Sequence, residues 1–156
     1  MQTMDTLDEL LTKHPFLSGL NPQFQQYFVD CASLQNVERG QEILHDGNKA
    51  GHFYLIHSGK VSLETFVPGC GMVTIQTLGP GEALGWSWLF PPYLWHFTAS
   101  ASEPTELIAF DAPRLRDKAR EDREFGSEML SRVAKILLDR LQGTRMQLID
   151  LYGMRP

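Results

Sequence analysis

The stretch GEALGWSWLFPPYLWHFTA, residues 81–99, concentrates features that could bind a ligand. It holds two glycines, two prolines and six Phe, Trp or Tyr residues. A glycine turn presents backbone N–H groups that can hold an anion, especially where the turn leads into a helix. Indole rings offer flat apolar surfaces, but aromatic residues are also common in cores. A site for an apolar ligand, a partner surface and a self-filled pocket are therefore all open.

Candidate ligand-binding residues lie at the two ends of this stretch. If GWSWLF opens a helix, its first N–H groups lie at the positive end of the helix dipole and favour an anion. His96 adds a donor when protonated, or is a partly buried histidine with a backbone partner. The candidates are Gly81, Glu82, Ala83, Leu84, Gly85, Trp86, Ser87, Trp88, Trp95, His96, Phe97, Thr98 and Ala99.

Catalytic and metal chemistry lack a matching pattern elsewhere in the chain. His45, His52, His57 and Glu64 fall on or near predicted strands, as in cupin-type metalloenzymes, but no HxH pair occurs. The sequence contains no GxSxG elbow and no GxxxxGK[ST] loop. We expect no enzyme activity, no catalytic residue, no metal and no cofactor, with a metalloenzyme as the alternative.

Composition favours one soluble domain, residues 1–156. A chain of 156 residues with 42% hydrophobic residues can bury its own core. The net charge of −5 argues against a nucleic-acid surface. No apolar run approaches the ~20 residues that span a bilayer, and no signal peptide is recognisable. Cys31 and Cys70 lack CxxC spacing, so no zinc site, iron–sulfur site or disulfide framework is indicated. We expect a cytoplasmic protein without direct nucleic-acid or membrane contacts.

The elements that must position the stretch fall into three regions. Residues 1–36 show helical signals, including the Asn21-Pro22 helix start and an apolar side formed by Phe24, Phe28 and Cys31. Residues 37–111 show short strands punctuated by glycine, such as KVSLETFV, and PGCG closes a hairpin from it onto MVTIQTL. Residues 112–152 are helical again. The middle region predicts a sandwich or barrel of the jelly-roll kind.

The last helix carries two apolar stripes. One stripe recurs in steps of four and three, as in a coiled-coil seam, and the other lies on an adjacent face. We expect the second to cover the barrel and the first to meet another copy, although both could pack within a single chain. The predicted dimer seam is Leu130, Ala134, Leu137, Leu141, Leu148 and Leu151, with Thr144 also in the repeat; the covering stripe is Phe125, Met129, Val133 and Ile136.

Two segments carry a resemblance to a known family. ERGQEILHDGNKAGHFYLIHSGKVSL, residues 38–63, places Gly40, Gly47 and Gly59 around the apolar run Phe53–Ile56, and LGPGEALGWSWLF, residues 78–90, contains the glycine turn. Over about residues 10–150 the chain resembles the cyclic nucleotide-binding domain of catabolite-activator-type (Crp/Fnr-like) regulators. The resemblance implies a mainly β fold with flanking α: a jelly-roll β-roll, short N-terminal helices and a long C-terminal dimerisation helix.

The phosphate-binding cassette implied by the resemblance is divergent. The family's Gly-Glu pair, whose Glu holds the ribose hydroxyl, falls on Gly85-Trp86, and an indole offers no acceptor. The family's arginine, which pairs with the cyclic phosphate, should fall between Leu94 and Phe97, yet no arginine occurs from residue 40 to residue 113. Losing its two charge-assisted hydrogen bonds weakens binding by roughly two to four powers of ten.

The resemblance and the residues favour a regulatory sensor. We expect a dimer whose altered cassette binds an unidentified small ligand, not cyclic AMP or cyclic GMP tightly, and moves the long helix. The alternative is an interaction module that docks a protein partner while aromatic side chains fill the pocket; haem binding, known in related β-rolls, is a further possibility. The family's helix-turn-helix domain has no visible counterpart after Leu151, so sequence-specific DNA binding is not expected.

Overall fold

Two four-stranded antiparallel sheets form the centre of the protein. The computed structural model describes residues 2–153, with side chains at Leu7 and from Glu9 onward. The sheets are ordered β1-β8-β3-β6 and β2-β7-β4-β5. The strands are β1 Ala32–Val37, β2 Glu42–Leu44, β3 His52–Ser58, β4 Val61–Val67, β5 Gly71–Leu78, β6 Ala83–Leu84, β7 Thr98–Ala101 and β8 Thr105–Asp111. The predicted β-roll is confirmed.

Helices flank the β-roll on both sides in sequence. They are α1 Gln2–Lys13, α2 Pro22–Val29, α3 Ala112–Glu121 and α4 Arg123–Gly153, and Pro15–Leu17 forms a 3₁₀ turn between α1 and α2. Asn21 begins α2 as predicted, because its side-chain oxygen accepts a 2.8 Å hydrogen bond from the Gln23 N–H. Met1 and residues 154–156 lie outside the described residues.

The first helical region ends earlier than the sequence suggests. The predicted helical side that includes Cys31 is wrong, because α2 ends at Val29 and β1 begins at Ala32. Strand β1 pairs along its whole length with β8, from Ala32 opposite Phe110 onward, and buries Val37. Pairing with a neighbouring strand satisfies the backbone of residues 32–37 and overrides the local helical pattern.

The order of apolar residues along the strands matches which side chains are buried. Strand β3 buries Phe53–Ile56 consecutively, as expected for a strand covered on both faces. Strand β4 alternates at its start, where Val61 and Leu63 are buried. The β4–β5 hairpin turns at PGCG, as predicted, with Val67 opposite Gly71.

An aromatic cluster fixes the helices on the sheet. The ring of Phe28 from α2 lies 5.1 Å from Phe110 of β8 and 5.8 Å from Phe125 of α4, centre to centre. All three rings are fully buried, and burying such a side chain contributes about 1.5–3 kcal/mol. The start of α4 is therefore held firmly against the β-roll.

The two stripes of α4 have different environments. Phe125, Met129 and Val133 are fully buried against the roll and Ile136 is half-buried, as predicted for the covering stripe. The seam stripe is mostly open: Leu130, Leu141, Leu148 and Leu151 are 51–66% exposed, Ala134 is exposed and Leu137 is half-buried. The alternative in which both stripes pack within one chain is therefore wrong for the seam stripe.

Candidate ligand site

The glycine turn of residues 79–85 is anchored on strand β3. The Gly81 N–H donates to the Ile56 carbonyl at 3.0 Å, and the Ile56 N–H donates to the Glu82 carbonyl at 2.9 Å. The exposed Glu82 carboxylate accepts from the Gly79 N–H at 2.8 Å. This carboxylate therefore stabilises the turn itself. Strand β6, with Ala83 and Leu84, then pairs with β3.

The ring of Trp95 packs directly against Gly85 of the turn. Gly85 has a φ of +90°, and a Cβ there would lie 2.4 Å from Cζ3 of Trp95. Only glycine fits both the backbone conformation and the adjacent indole. Trp95 is 4% exposed, so the ring that touches the turn is part of the core.

Most of the aromatic candidates are buried. Trp88 has no exposed surface and its ring lies 5.2 Å from that of Phe53, while Phe97 is 4% exposed. Trp86 is half-buried, with its ring 5.2 Å from Phe97. Trp86 is thus the candidate indole with the greatest access to solvent.

The helix considered after Gly85 does not form. Residues 86–90 make a turn, in which the Leu89 N–H donates to the Trp86 carbonyl at 3.2 Å. The Trp88 carbonyl accepts from Arg116 of α3 at 2.7 Å. Ser87 Oγ and Trp88 Nε1 are buried without a partner among the described residues. The helix on which the expected anion site depends is therefore absent at residues 86–90, so no helix dipole favours an anion there.

The second group of candidates leads into strand β7. His96 is exposed, so the interpretation as a partly buried histidine is wrong. Thr98 and Ala99 are buried strand residues, and the Thr98 hydroxyl accepts from the Asp46 N–H at 3.2 Å. These residues thus have structural partners of their own.

Arg140 of α4 reaches the glycine turn, which the sequence did not indicate. Its Nη2 donates to the Ala83 carbonyl at 2.7 Å, and its guanidinium carbon lies 5.4 Å from the ring centre of Trp86. Burial lowers the pKa of Arg140, an effect opposed by Glu82 and Asp139. Its Nη1 atom is buried and has no hydrogen-bond partner among the described residues. No motif marks such a residue, because it comes from a separate element far along the chain.

A cleft of about 440 Å³ opens beside Arg140. It is bounded by the 3₁₀ turn at Pro15 and Phe16, by residues 81–83, and by α4 from Ser131 to Arg140. Of the predicted candidates, only Gly81, Glu82 and Ala83 line it. The structure thus brings three of the candidates to an open space and packs most of the others into the core.

Histidines and acidic side chains do not converge. Among the described residues, no group of three or more His, Cys, Asp or Glu side chains is placed to hold a metal ion. His45 lies 3.1 Å from Glu42, and His57 lies 3.5 Å from Glu106, as separate pairs. No described helix, α4 included, combines the length and apolar character needed to cross a membrane.

Comparison with known proteins identifies relatives over most of the chain. The sequence model of the cyclic nucleotide-binding domain matches residues 34–122. The CRP-like cAMP-activated global transcriptional regulator of Mycobacterium tuberculosis is 25% identical over 147 residues, which cover 93% of this chain. The same residues span 63% of that regulator's length.

Solved structures show the same fold. The Thermus thermophilus Catabolite Activator Protein is 27% identical with a TM-score of 0.68, over 88% of this chain and 63% of that one. The sensor domain of the transcriptional regulator DNR from Pseudomonas aeruginosa is 19% identical with a TM-score of 0.72, over 91% of this chain and 95% of that one.

Proposed function

This chain belongs to the cyclic nucleotide-binding domain family, and on that premise we propose that it is a non-enzymatic regulatory sensor. Its divergent cassette binds a small ligand that is not a tightly held cyclic nucleotide. Ligand binding changes the position or stability of α4. The observation that carries the proposal is the contact of Arg140 with both the Ala83 carbonyl and Trp86, because it joins α4 directly to the cassette.

Weak binding of cyclic nucleotides follows from the cassette's side chains. Trp86 replaces an acceptor for the ribose hydroxyl with a donor-only indole. Phe97 is buried in the segment where the family's arginine is expected, so no guanidinium there faces a phosphate. Arg116 approaches the stretch from α3, but its Nη1 already donates to the carbonyls of Trp88 and Ala50.

A homodimer through α4 is part of the proposal. The exposed seam stripe presents leucines at the spacing of a coiled coil. Since the covering stripe of the same helix already packs on the β-roll, the seam stripe is available for a second copy. Movement of α4 in one subunit would then change how the two subunits are arranged in the dimer.

A thermal-shift screen combined with hydrogen exchange tests the sensor role. The full chain is screened against a metabolite library that includes cyclic AMP and cyclic GMP. We expect at least one compound to raise the melting temperature and to slow amide exchange in residues 130–150, with little response to either cyclic nucleotide. A screen without any stabilising compound contradicts the sensor.

The second candidate function is an interaction module that needs no ligand. Burial of Trp88, Trp95 and Phe97 favours it, since these rings already occupy the interior next to the turn. The same screen separates the two functions, because a module that works only by docking shows no compound-dependent change in α4.

A further inference from the structure

The cleft beside α4 has the dimensions of a ligand site. Its volume of about 440 Å³ lies within the roughly 300–1,000 Å³ of small-molecule sites. Three separate elements form its walls: the 3₁₀ turn, the start of β6 and helix α4. A molecule bound here contacts α4 and the glycine turn at the same time.

The lining of the cleft combines apolar surface with an excess of positive charge. Pro15, Phe16, Ala83 and Ile136 supply the apolar part. Three cationic side chains face two carboxylates: Arg132, Lys135 and Arg140 against Glu82 and Asp139. One of the two Glu82 oxygens already accepts from the Gly79 N–H.

Two of the three cations have partners. Arg132 binds the Glu128 carboxylate at 2.8 Å through Nε, and its Nη1 donates to the carbonyls of Phe16 and Ser18. Lys135 lies 3.6 Å from Asp139, and both side chains are more than 60% exposed. An ion pair so open to solvent contributes little, so Lys135 can exchange this partner at low cost.

Arg140 is the cation without a counterion. No carboxylate of a described residue lies within 4.0 Å of it, and its Nη1 has no acceptor. Leaving a buried charged donor unpaired is costly, and a negatively charged acceptor relieves that cost most effectively. Arg140 lines the cleft, so an acceptor bound there lies beside its guanidinium.

We propose that this cleft is the sensor's ligand site and that it takes a small organic anion with an apolar body. The anionic group pairs with Arg140 and Lys135, and the apolar body packs against Phe16 and Ile136. This inference rests on the proposed function, which it makes specific: the ligand enters between α4 and the turn, not among the buried indoles. A ligand cation or a neutral compound leaves Arg140 unpaired.

Three probes with one apolar chain and different head groups test the ligand class. Octanoate, 1-octanol and octylammonium are titrated into the full chain by isothermal titration calorimetry at low salt. We expect saturable one-to-one binding of octanoate, at least tenfold tighter than binding of 1-octanol and octylammonium. Equal binding of the three probes, tighter binding of octylammonium, or no binding of octanoate overturns the inference.

Variants locate the site. Arg140→Gln removes the charge and shortens the side chain, and we expect octanoate affinity to fall at least tenfold. Arg145→Gln is the matched control, since Arg145 is an exposed arginine of the same helix outside the cleft; its affinity should not change. Lys135→Gln alters an exposed side chain, so it tests the site even if Arg140→Gln folds poorly. We expect it to weaken octanoate binding a few-fold. Unchanged affinity in both cleft variants overturns the inference.

Hydrogen exchange separates this inference from the sensor role. Octanoate binding that depends on Arg140 but leaves exchange in α4 unchanged supports the cleft and contradicts the sensor. A screen compound that slows exchange in α4, with no octyl probe bound, supports the sensor and overturns the cleft as its ligand site.

Discussion

Arg140 lies over the ring of Trp86, with its guanidinium carbon 5.4 Å from the ring centre, while Nη2 donates to the Ala83 carbonyl at 2.7 Å. One side chain of the long helix thus contacts the glycine turn at two points. Cation–π contacts contribute about 0.5–2 kcal/mol depending on solvent exposure, and hydrogen bonds from charged groups about 1.5–3 kcal/mol. The cassette and α4 are therefore energetically coupled in the resting protein.

Replacing this arginine should weaken the fold measurably. We expect Arg140→Gln to lower the free energy of unfolding by about 1–3 kcal/mol, because it loses a charged hydrogen bond and the contact with Trp86. Urea unfolding followed by tryptophan fluorescence measures the change. Arg145→Gln, on the exposed part of the same helix, should stay within about 0.5 kcal/mol of the wild type. Equal effects of the two substitutions would contradict the coupling.

Gly85 is expected to be intolerant of any side chain. In Gly85→Ala the new Cβ would lie 2.4 Å from Cζ3 of Trp95, at a φ of +90°. Left-handed backbone and overpacking together cost about 2–5 kcal/mol. Gly69→Ala is the control, because Gly69 has a φ of +86° and open space around the position. It should lose about 1–2 kcal/mol for the backbone alone. Comparable losses in urea unfolding would show that Trp95 does not restrict the site.

The sequence predicted the β-roll well because its signals are local. Alternation in β4 and the PGCG hairpin each depend on residues close together in the chain. Strand β1 escaped prediction because ASLQNV has little alternation and forms by pairing with β8, which is distant in sequence.

The candidate site was harder to predict for the same reason. The glycine turn is visible locally, whereas the contact of Arg140 with it depends on how α4 lies across the roll. The burial of Trp88 against Phe53 likewise depends on tertiary packing. Six aromatic residues in one stretch give no indication of which face the core.

His14 is expected to make stability depend on pH. Its imidazole is buried; Nδ1 accepts from the Phe16 N–H at 3.1 Å and Nε2 donates to the Ile56 carbonyl at 3.2 Å. Burial is the main cause that lowers the pKa of His14 below its ordinary value of 6.5, and His57 adds to it. As the pH falls below about 6.5, the unfolded chain takes up a proton that the folded one resists, so stability declines.

Unfolding midpoints at pH 7.5 and pH 5.0 test the role of His14. The wild type should lose more stability on acidification than His14→Gln, which has no group to titrate at this position. His96→Gln removes an exposed histidine and should behave like the wild type. If His14→Gln declines as steeply as the wild type, the acid sensitivity arises elsewhere.

The seam stripe is expected to hold a dimer. Leu130→Glu places a charge in the predicted seam at a side chain that is 51% exposed in the single chain. The monomer should therefore fold normally, while the dimer dissociates. Sedimentation equilibrium measures the mass, and circular dichroism checks the helices. Leu138→Glu is matched in residue type and exposure, at 51%, but lies outside the seam; it should dissociate the dimer much less. If the wild type is a monomer, or if both variants dissociate equally, the predicted dimer seam is wrong.

Restoring an arginine to the cassette should damage the fold without restoring nucleotide binding. Phe97 is 4% exposed and packs against Trp86, so Phe97→Arg buries a guanidinium without a partner. We expect a loss of at least about 3 kcal/mol, from the lost aromatic packing and the unpaired charge. Phe66→Arg, at a strand position 65% exposed, makes the same exchange at the surface and should change stability by about 0.5 kcal/mol or less.

Calorimetry with cyclic AMP should show no gain of affinity in Phe97→Arg. A stable variant that binds cyclic AMP would mean that the aromatic residues only occupy a pocket that still fits the nucleotide.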